Sequence, residues 1–118
     1  MKWLELEKDY LPFLNYDGIK PLEEGRRWQK QGHIYEVPFY YIDYCLAQIC
    51  AYQFWKKAND NREQALEDYI RLCNAGGSQS FLDLVKLANL RSPFDPETIK
   101  DMVDEVEAWM SGVEHMSL

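Results

Sequence analysis

Apolar residues recur along this chain at the three-and-four spacing of an α-helix, and nowhere with the two-residue alternation of a half-buried strand. Trp3, Leu6, Tyr10 and Leu14 make the first stripe, with Leu4 and Leu11 beside it, and Pro12 should end or kink that helix. Asn15-Tyr16-Asp17-Gly18 has turn chemistry. Pro21 suits the first turn of a second helix, Glu23 and Glu24 complement its dipole, and Leu22 and Trp28 face inward. Gly32 is expected to stop that helix as a left-handed cap.

A loop around His33 follows, and Pro38 marks the start of the central element. From there to about Lys57 the chain is apolar nearly all round, which predicts a helix surrounded by others. Asn59-Asp60-Asn61 breaks it, and Asp60 can cap the next helix with Glu63 three residues on. Ala65, Leu66, Tyr69, Ile70 and Cys73 form that helix's stripe, closed by Gly76-Gly77. Ser80 can cap a short helix carrying Phe81, Leu84, Val85 and Ala88. Ser92-Pro93-Phe94 reads as extended. Asp95-Pro96 then starts a last helix with Ile99, Met102, Val103, Val106 and Trp109 inward and Gly112 at its end. The sum is an all-α, compact bundle of about six helices in one domain over residues 1–118, with no repeat and no low-complexity tract.

Composition narrows the function classes. At 118 residues and 14.0 kDa, with 47% hydrophobic and 14% aromatic residues, the chain can bury a core and is not disordered. A net charge of −7 and a pI near 4.8 argue against nucleic acid as a partner. Arg26, Arg27 and Lys30 form a local basic group that reads as a solvated helix face. The amino terminus lacks a long apolar run, so no signal peptide is expected. The stretch from Pro38 to Trp55 is interrupted by Asp43, Gln48 and Gln53, which favours a buried helix over a membrane span. Cys45, Cys50 and Cys73 are odd in number, sit in apolar patterns and lack metal-type spacing. They read as core residues in a reducing compartment, and a cytoplasmic location is expected.

Few residues are placed for chemistry. His33 and His115 belong to no H-E-x-x-H pair, so the chain by itself is expected to bind no metal. Core cysteines are poor nucleophiles, and Gly76-Gly77 lacks the lysine of a phosphate loop. The loop remains: His33, Tyr35, Tyr40, Tyr41 and Tyr44 bring one imidazole and several phenols together. On a helix starting at Pro38, Tyr40 and Tyr44 share a face and Tyr41 neighbours Tyr44. Such groups donate hydrogen bonds without fixed charge, as an oxyanion site requires. Composition alone favours the plainer reading, tyrosines in a core with wet hydroxyls and one satisfied histidine. Glu36 and Asp43 give only a weak case for a carboxylate pair.

Several segments together, Trp3-Leu4-Glu5-Leu6-Glu7-Lys8-Asp9-Tyr10-Leu11-Pro12, Trp28-Gln29-Lys30-Gln31-Gly32-His33-Ile34-Tyr35, Pro38-Phe39-Tyr40-Tyr41-Ile42-Asp43-Tyr44, Leu72-Cys73-Asn74-Ala75-Gly76-Gly77-Ser78 and Ser92-Pro93-Phe94, resemble the carboxyl-terminal end of the M3 zinc peptidases. The oligoendopeptidase F group, the M3B branch, is the best match, and the resemblance spans nearly the whole chain. It implies a helical enzyme several times longer that encloses short peptides and cuts them with a zinc-activated water held by H-E-x-x-H and a downstream glutamate. A histidine and tyrosines near the carboxyl end close over the substrate and hydrogen-bond the scissile carbonyl. By the motif match these are His33 and Tyr40, with Tyr44 a second tyrosine, Tyr41 and Asp43 weaker candidates, and Gly32 lending the loop mobility. Zn2+ is thus implied for the full-length enzyme. This chain lacks H-E-x-x-H, so the resemblance implies a substrate-binding segment that is inactive without its missing amino-terminal catalytic part. The alternative is a free-standing helical module, derived from that fold, that binds peptides or proteins. Apolar surface left uncovered in either case is expected to drive homo-oligomerisation.

Overall fold

The computed structural model describes residues 2–114. Among them are seven α-helices, one 3-10 turn and no strand, the all-α class that the periodicity predicts with one helix more than expected. The chain divides by its internal contacts into two units, Met1–Ile42 and Asp43–Leu118.

The first unit is built from short pieces. α1 (Lys2–Tyr10) ends ahead of Pro12, as predicted. Its Glu7 is buried and ion-paired with Arg27 at 3.5 Å. The 15–18 turn is held by the Asp17 N–H donating to Asn15 Oδ1 at 3.1 Å and the Gly18 N–H donating to Glu23 Oε1 at 3.1 Å. The predicted helix from Pro21 to Gly32 is not continuous. α2 (Lys20–Glu23) stops at Gly25, whose φ of +76° is left-handed, and a separate 3-10 turn (Arg27–Lys30) carries Trp28. The physical reason lies in packing: a Cβ on Gly25 would sit 2.9 Å from Leu4 Cβ. Only glycine allows α1 to approach the backbone there.

The second unit holds the long helices α4 (Ile42–Asp60), α5 (Arg62–Ala75) and α7 (Pro96–Glu114) and the short α6 (Phe81–Leu87). The cap of α5 is Asn61, which accepts from the Gln64 N–H at 3.2 Å, not the expected Asp60. Ser80 caps α6 by accepting from the Asp83 N–H at 3.3 Å. Asp95 caps α7 by accepting from the Glu97 N–H at 3.1 Å. Gly112 does not end α7, which continues to Glu114. Val85, Ala88 and Leu90 form the buried centre, with Cys50, Phe54 and Leu72 packed against it.

Expectations about burial fail on three helices, and on α7 the predicted inward stripe is exposed at Ile99, Val103 and Trp109. α4 is not sheathed: none of its residues is fully buried. On α5 the buried side chains are Ala65 and Asp68, while Leu66, Tyr69 and Ile70 are exposed. The inward line therefore runs through 65, 68 and 72, beside the predicted stripe, because a polar hub occupies it. Asp68 accepts hydrogen bonds from Lys57 Nζ, from Arg71 Nη1 at 3.1 Å and from Asn89 Nδ2 at 2.8 Å. Lys57 also donates to the Ala88 carbonyl at 3.1 Å, so α4, α5 and the end of α6 meet on one buried carboxylate. The Lys57 hydrogen bond, ahead of burial acting the other way, holds the Asp68 carboxyl below the usual carboxylate range.

Candidate functional site

Gln31, Gly32 and His33 lie where the 3-10 turn gives way to α3 (His33–Glu36). Their backbones are tied locally: the Gln31 N–H donates to the Trp28 carbonyl at 3.0 Å, and the Ile34 and Glu36 N–H groups donate to Gln31 and Gly32 at 3.1 and 3.0 Å. His33 thus opens a helical turn where the hydropathy pattern suggested a loop. Gly32 is right-handed, with φ −53° and ψ −35°, so the expected left-handed cap is not observed. The added Cβ would meet only Glu36 Oε1 at 3.7 Å, an ordinary contact.

Pro38 ends this turn by forcing Val37 out of the helical region, to φ −140° and ψ 71°. Phe39 then adopts φ 69°, left-handed backbone that costs a non-glycine residue about 1 kcal/mol or more. Its ring is 97% exposed, so no core contact of the side chain accounts for that conformation. The bend brings the next two rings onto the imidazole: Tyr41 stacks on His33 at 4.9 Å between centroids and Tyr40 at 6.5 Å. Trp28 stacks on Tyr35 at 6.1 Å and buttresses the same turn.

Gly32, His33, Tyr40 and Tyr41 are therefore gathered within the first unit. Tyr44 and Asp43 lie on the second, in the first turn of α4. α4 begins at Ile42 and not at Pro38, so Tyr40 and Tyr41 precede the helix that carries Tyr44. Tyr40 and Tyr41 remain about half exposed, at 48% and 52%.

Sequence reasoning missed one partner. The Gln31 Nε2 lies 2.5 Å from His33 Nδ1. A side-chain amide two residues ahead of the histidine was the available signal. Elsewhere in this unit, buried Glu7 lines a cavity of about 320 Å3 with Leu4, Leu11 and Tyr16. Burial, with the Glu7 carboxylate alongside, pushes the Tyr16 phenol up.

The cysteines are less uniform than expected. Cys50 packs on the core, and burial pushes its thiol up, but Cys45 and Cys73 are exposed. Among the described residues no group of three His, Cys, Asp or Glu side chains is placed to hold a metal ion, and His115 lies outside them. The side chains described do not fit a zinc site. No helix among these residues is long and apolar enough to cross a membrane.

The chain superposes on segments of solved peptidases. A crystal structure of an oligoendopeptidase F superposes with a TM-score of 0.90 at 50% identity over 98% of this chain. PZ peptidase A with an inhibitor gives 0.87 at 48% over 93%, and an oligoendopeptidase F from Bacillus anthracis gives 0.67 at 43% over 98%. The oligoendopeptidase F homolog of Borreliella burgdorferi is 32% identical over 85 residues. No family model matches the chain. The chain is homologous to one segment of the M3-type peptidases, a family of zinc enzymes. Within them its counterpart is part of oligoendopeptidase F. It spans about a fifth of the three solved chains, 20%, 20% and 21%, and 14% of the Borreliella protein.

Proposed function

We propose that this chain is the substrate-holding, carboxyl-terminal segment of an oligoendopeptidase F-like peptidase acting on short peptides. In this reading His33 and Tyr40 donate hydrogen bonds to the scissile carbonyl as negative charge develops on its oxygen. Tyr41, nearer to the imidazole, holds the ring in place, while Gly32 and Tyr44 border the substrate. The observation that carries the reading is the alignment of 98% of the chain, at 50% identity, with part of an oligoendopeptidase F. The zinc and the general base would come from outside these residues, since the sequence holds no H-E-x-x-H.

The exposed apolar faces of α4 and α7, including Trp109, Met110 and Val103, support the same reading. Surface of that kind is suited to packing against a zinc-bearing catalytic part.

The test begins with a quenched-fluorescent peptide library, offered to the 118-residue chain with zinc added. No cleavage is expected, and chelator-sensitive cleavage by this chain alone would overturn the proposal. In a full-length peptidase carrying the segment, Tyr40→Phe should lower kcat about a hundredfold with zinc content unchanged. Unaltered turnover would remove Tyr40 from its role.

A further inference from the structure

We infer that Gln31 is a positioning residue that sets the tautomer of His33, keeping the imidazole proton on Nε2. A neutral imidazole carries one N–H and one acceptor nitrogen, and the hydrogen bond made by one nitrogen decides the state of the other. The Gln31 Nε2 lies 2.5 Å from His33 Nδ1. An amide nitrogen only donates, so Nδ1 must accept, and the ring proton is left on Nε2.

Both residues are held for this task by local structure. The Gln31 N–H is bonded to the Trp28 carbonyl at 3.0 Å and its own carbonyl receives the Ile34 N–H at 3.1 Å, so the glutamine backbone is fixed on both sides. The imidazole cannot turn freely about its χ2 because the Tyr41 ring stacks on it at 4.9 Å with the planes 27° apart. An amide clamp on Nδ1 and an aromatic ring on the face fix both which nitrogen donates and where it points. The functional consequence rests on the peptidase reading, in which a donor on Nε2 serves the substrate carbonyl. The tautomer itself does not depend on that reading.

The experiment is nitrogen-15 NMR of the full chain labelled at histidine, with His115→Gln leaving His33 as the single imidazole. Spectra at about pH 9 report the neutral ring, since ordinary imidazoles titrate near ~6.5. The expected pattern is an Nε2-protonated ring with a hydrogen-bonded Nδ1. Gln31→Glu, whose carboxylate only accepts, should move the proton to Nδ1. Should that variant fail to fold, Gln31→Met keeps the length and removes the donor, and the Nδ1 resonance should shift to its unbonded position. An Nδ1-protonated ring in the wild type, or a ring indifferent to these substitutions, would overturn the inference. In a full-length peptidase, Gln31→Glu should lower kcat about a hundredfold, the size of one lost oxyanion donor. An intact tautomer switch with unchanged kcat would keep Gln31's role and reject the peptidase role of His33.

Discussion

Gly25→Ala tests whether the path into the site is set by one backbone position. Gly25 is left-handed at φ +76°, and a new Cβ there would lie 2.9 Å from Leu4 Cβ and 3.3 Å from the Leu4 backbone nitrogen. The left-handed conformation costs an alanine about 1–2 kcal/mol. The contact with Leu4 involves backbone and Cβ, which cannot swing aside, so forcing it adds about 1–3 kcal/mol. Against these stands a gain of about 0.4–1 kcal/mol from a stiffer unfolded chain. The net loss is about 3 kcal/mol, or about 1.5 M in the urea midpoint for a small protein. Two glycines of the same unit calibrate the result. Gly18 is also left-handed, at φ +81°, but its added Cβ meets nothing within 4 Å, so Gly18→Ala should lose only about 1 kcal/mol. Gly32 is right-handed, so Gly32→Ala should be neutral or slightly stabilising. Urea titration followed at the indole signals of Trp3 and Trp28, both within this unit, reads all three variants. A Gly25→Ala midpoint no lower than that of Gly18→Ala would refute the close approach to Leu4. One equal to wild type would refute the left-handed break as well.

The Asp68 hub makes stability depend on acid. Its folded carboxyl is held below the ordinary value, chiefly by the Lys57 hydrogen bond, so its contribution is complete above about pH 4 and fades as pH falls towards the depressed folded value. Thermal melts from neutral to about pH 3 should show a steeper loss in wild type than in Asp68→Asn, and equal slopes would refute the assignment. Exposed apolar side chains on α4 and α7, among them Val103, Trp109 and Met110, should pair copies of the isolated chain. Light scattering at high concentration is expected to give a dimer or larger, and a monomer would count against it.

Features stored in a few adjacent residues were legible beforehand. Ser80 and Asp95 cap where a side-chain oxygen can reach the third or second N–H of the next turn. Pro12 and Gly76 stop helices for reasons carried by the residues themselves. Other features depend on what lies opposite. Gly25 looks like any helix-interior glycine until Leu4 is placed against it. Pro38 reads as a helix start, yet Phe39 at φ 69° delays α4 to Ile42, so Tyr40 lies ahead of the helix. The buried line of α5 was hidden because Asp68 reads as a solvent residue until Lys57, Arg71 and Asn89 surround it. His33, Tyr40 and Tyr41 stood out as candidates in the sequence, and the structure brings them together, whereas Gln31 needed the 2.5 Å approach to Nδ1.

A segment spanning 20% of the homologous oligoendopeptidase F chain thus gathers one imidazole, two phenols and a side-chain amide. Neighbours within ten residues contribute to the order at His33: Trp28 and Gln31 before it, Tyr40 and Tyr41 after it. In the proposed peptidase role, contacts of this short range would help pre-organise a donor, as electrostatic stabilisation of a developing charge requires. Metal ligation has the opposite demand, since its ligands must converge on one point with few alternatives in angle or distance. In the proposed peptidase, the donors around His33 would therefore tolerate separation along the chain from the metal ligands.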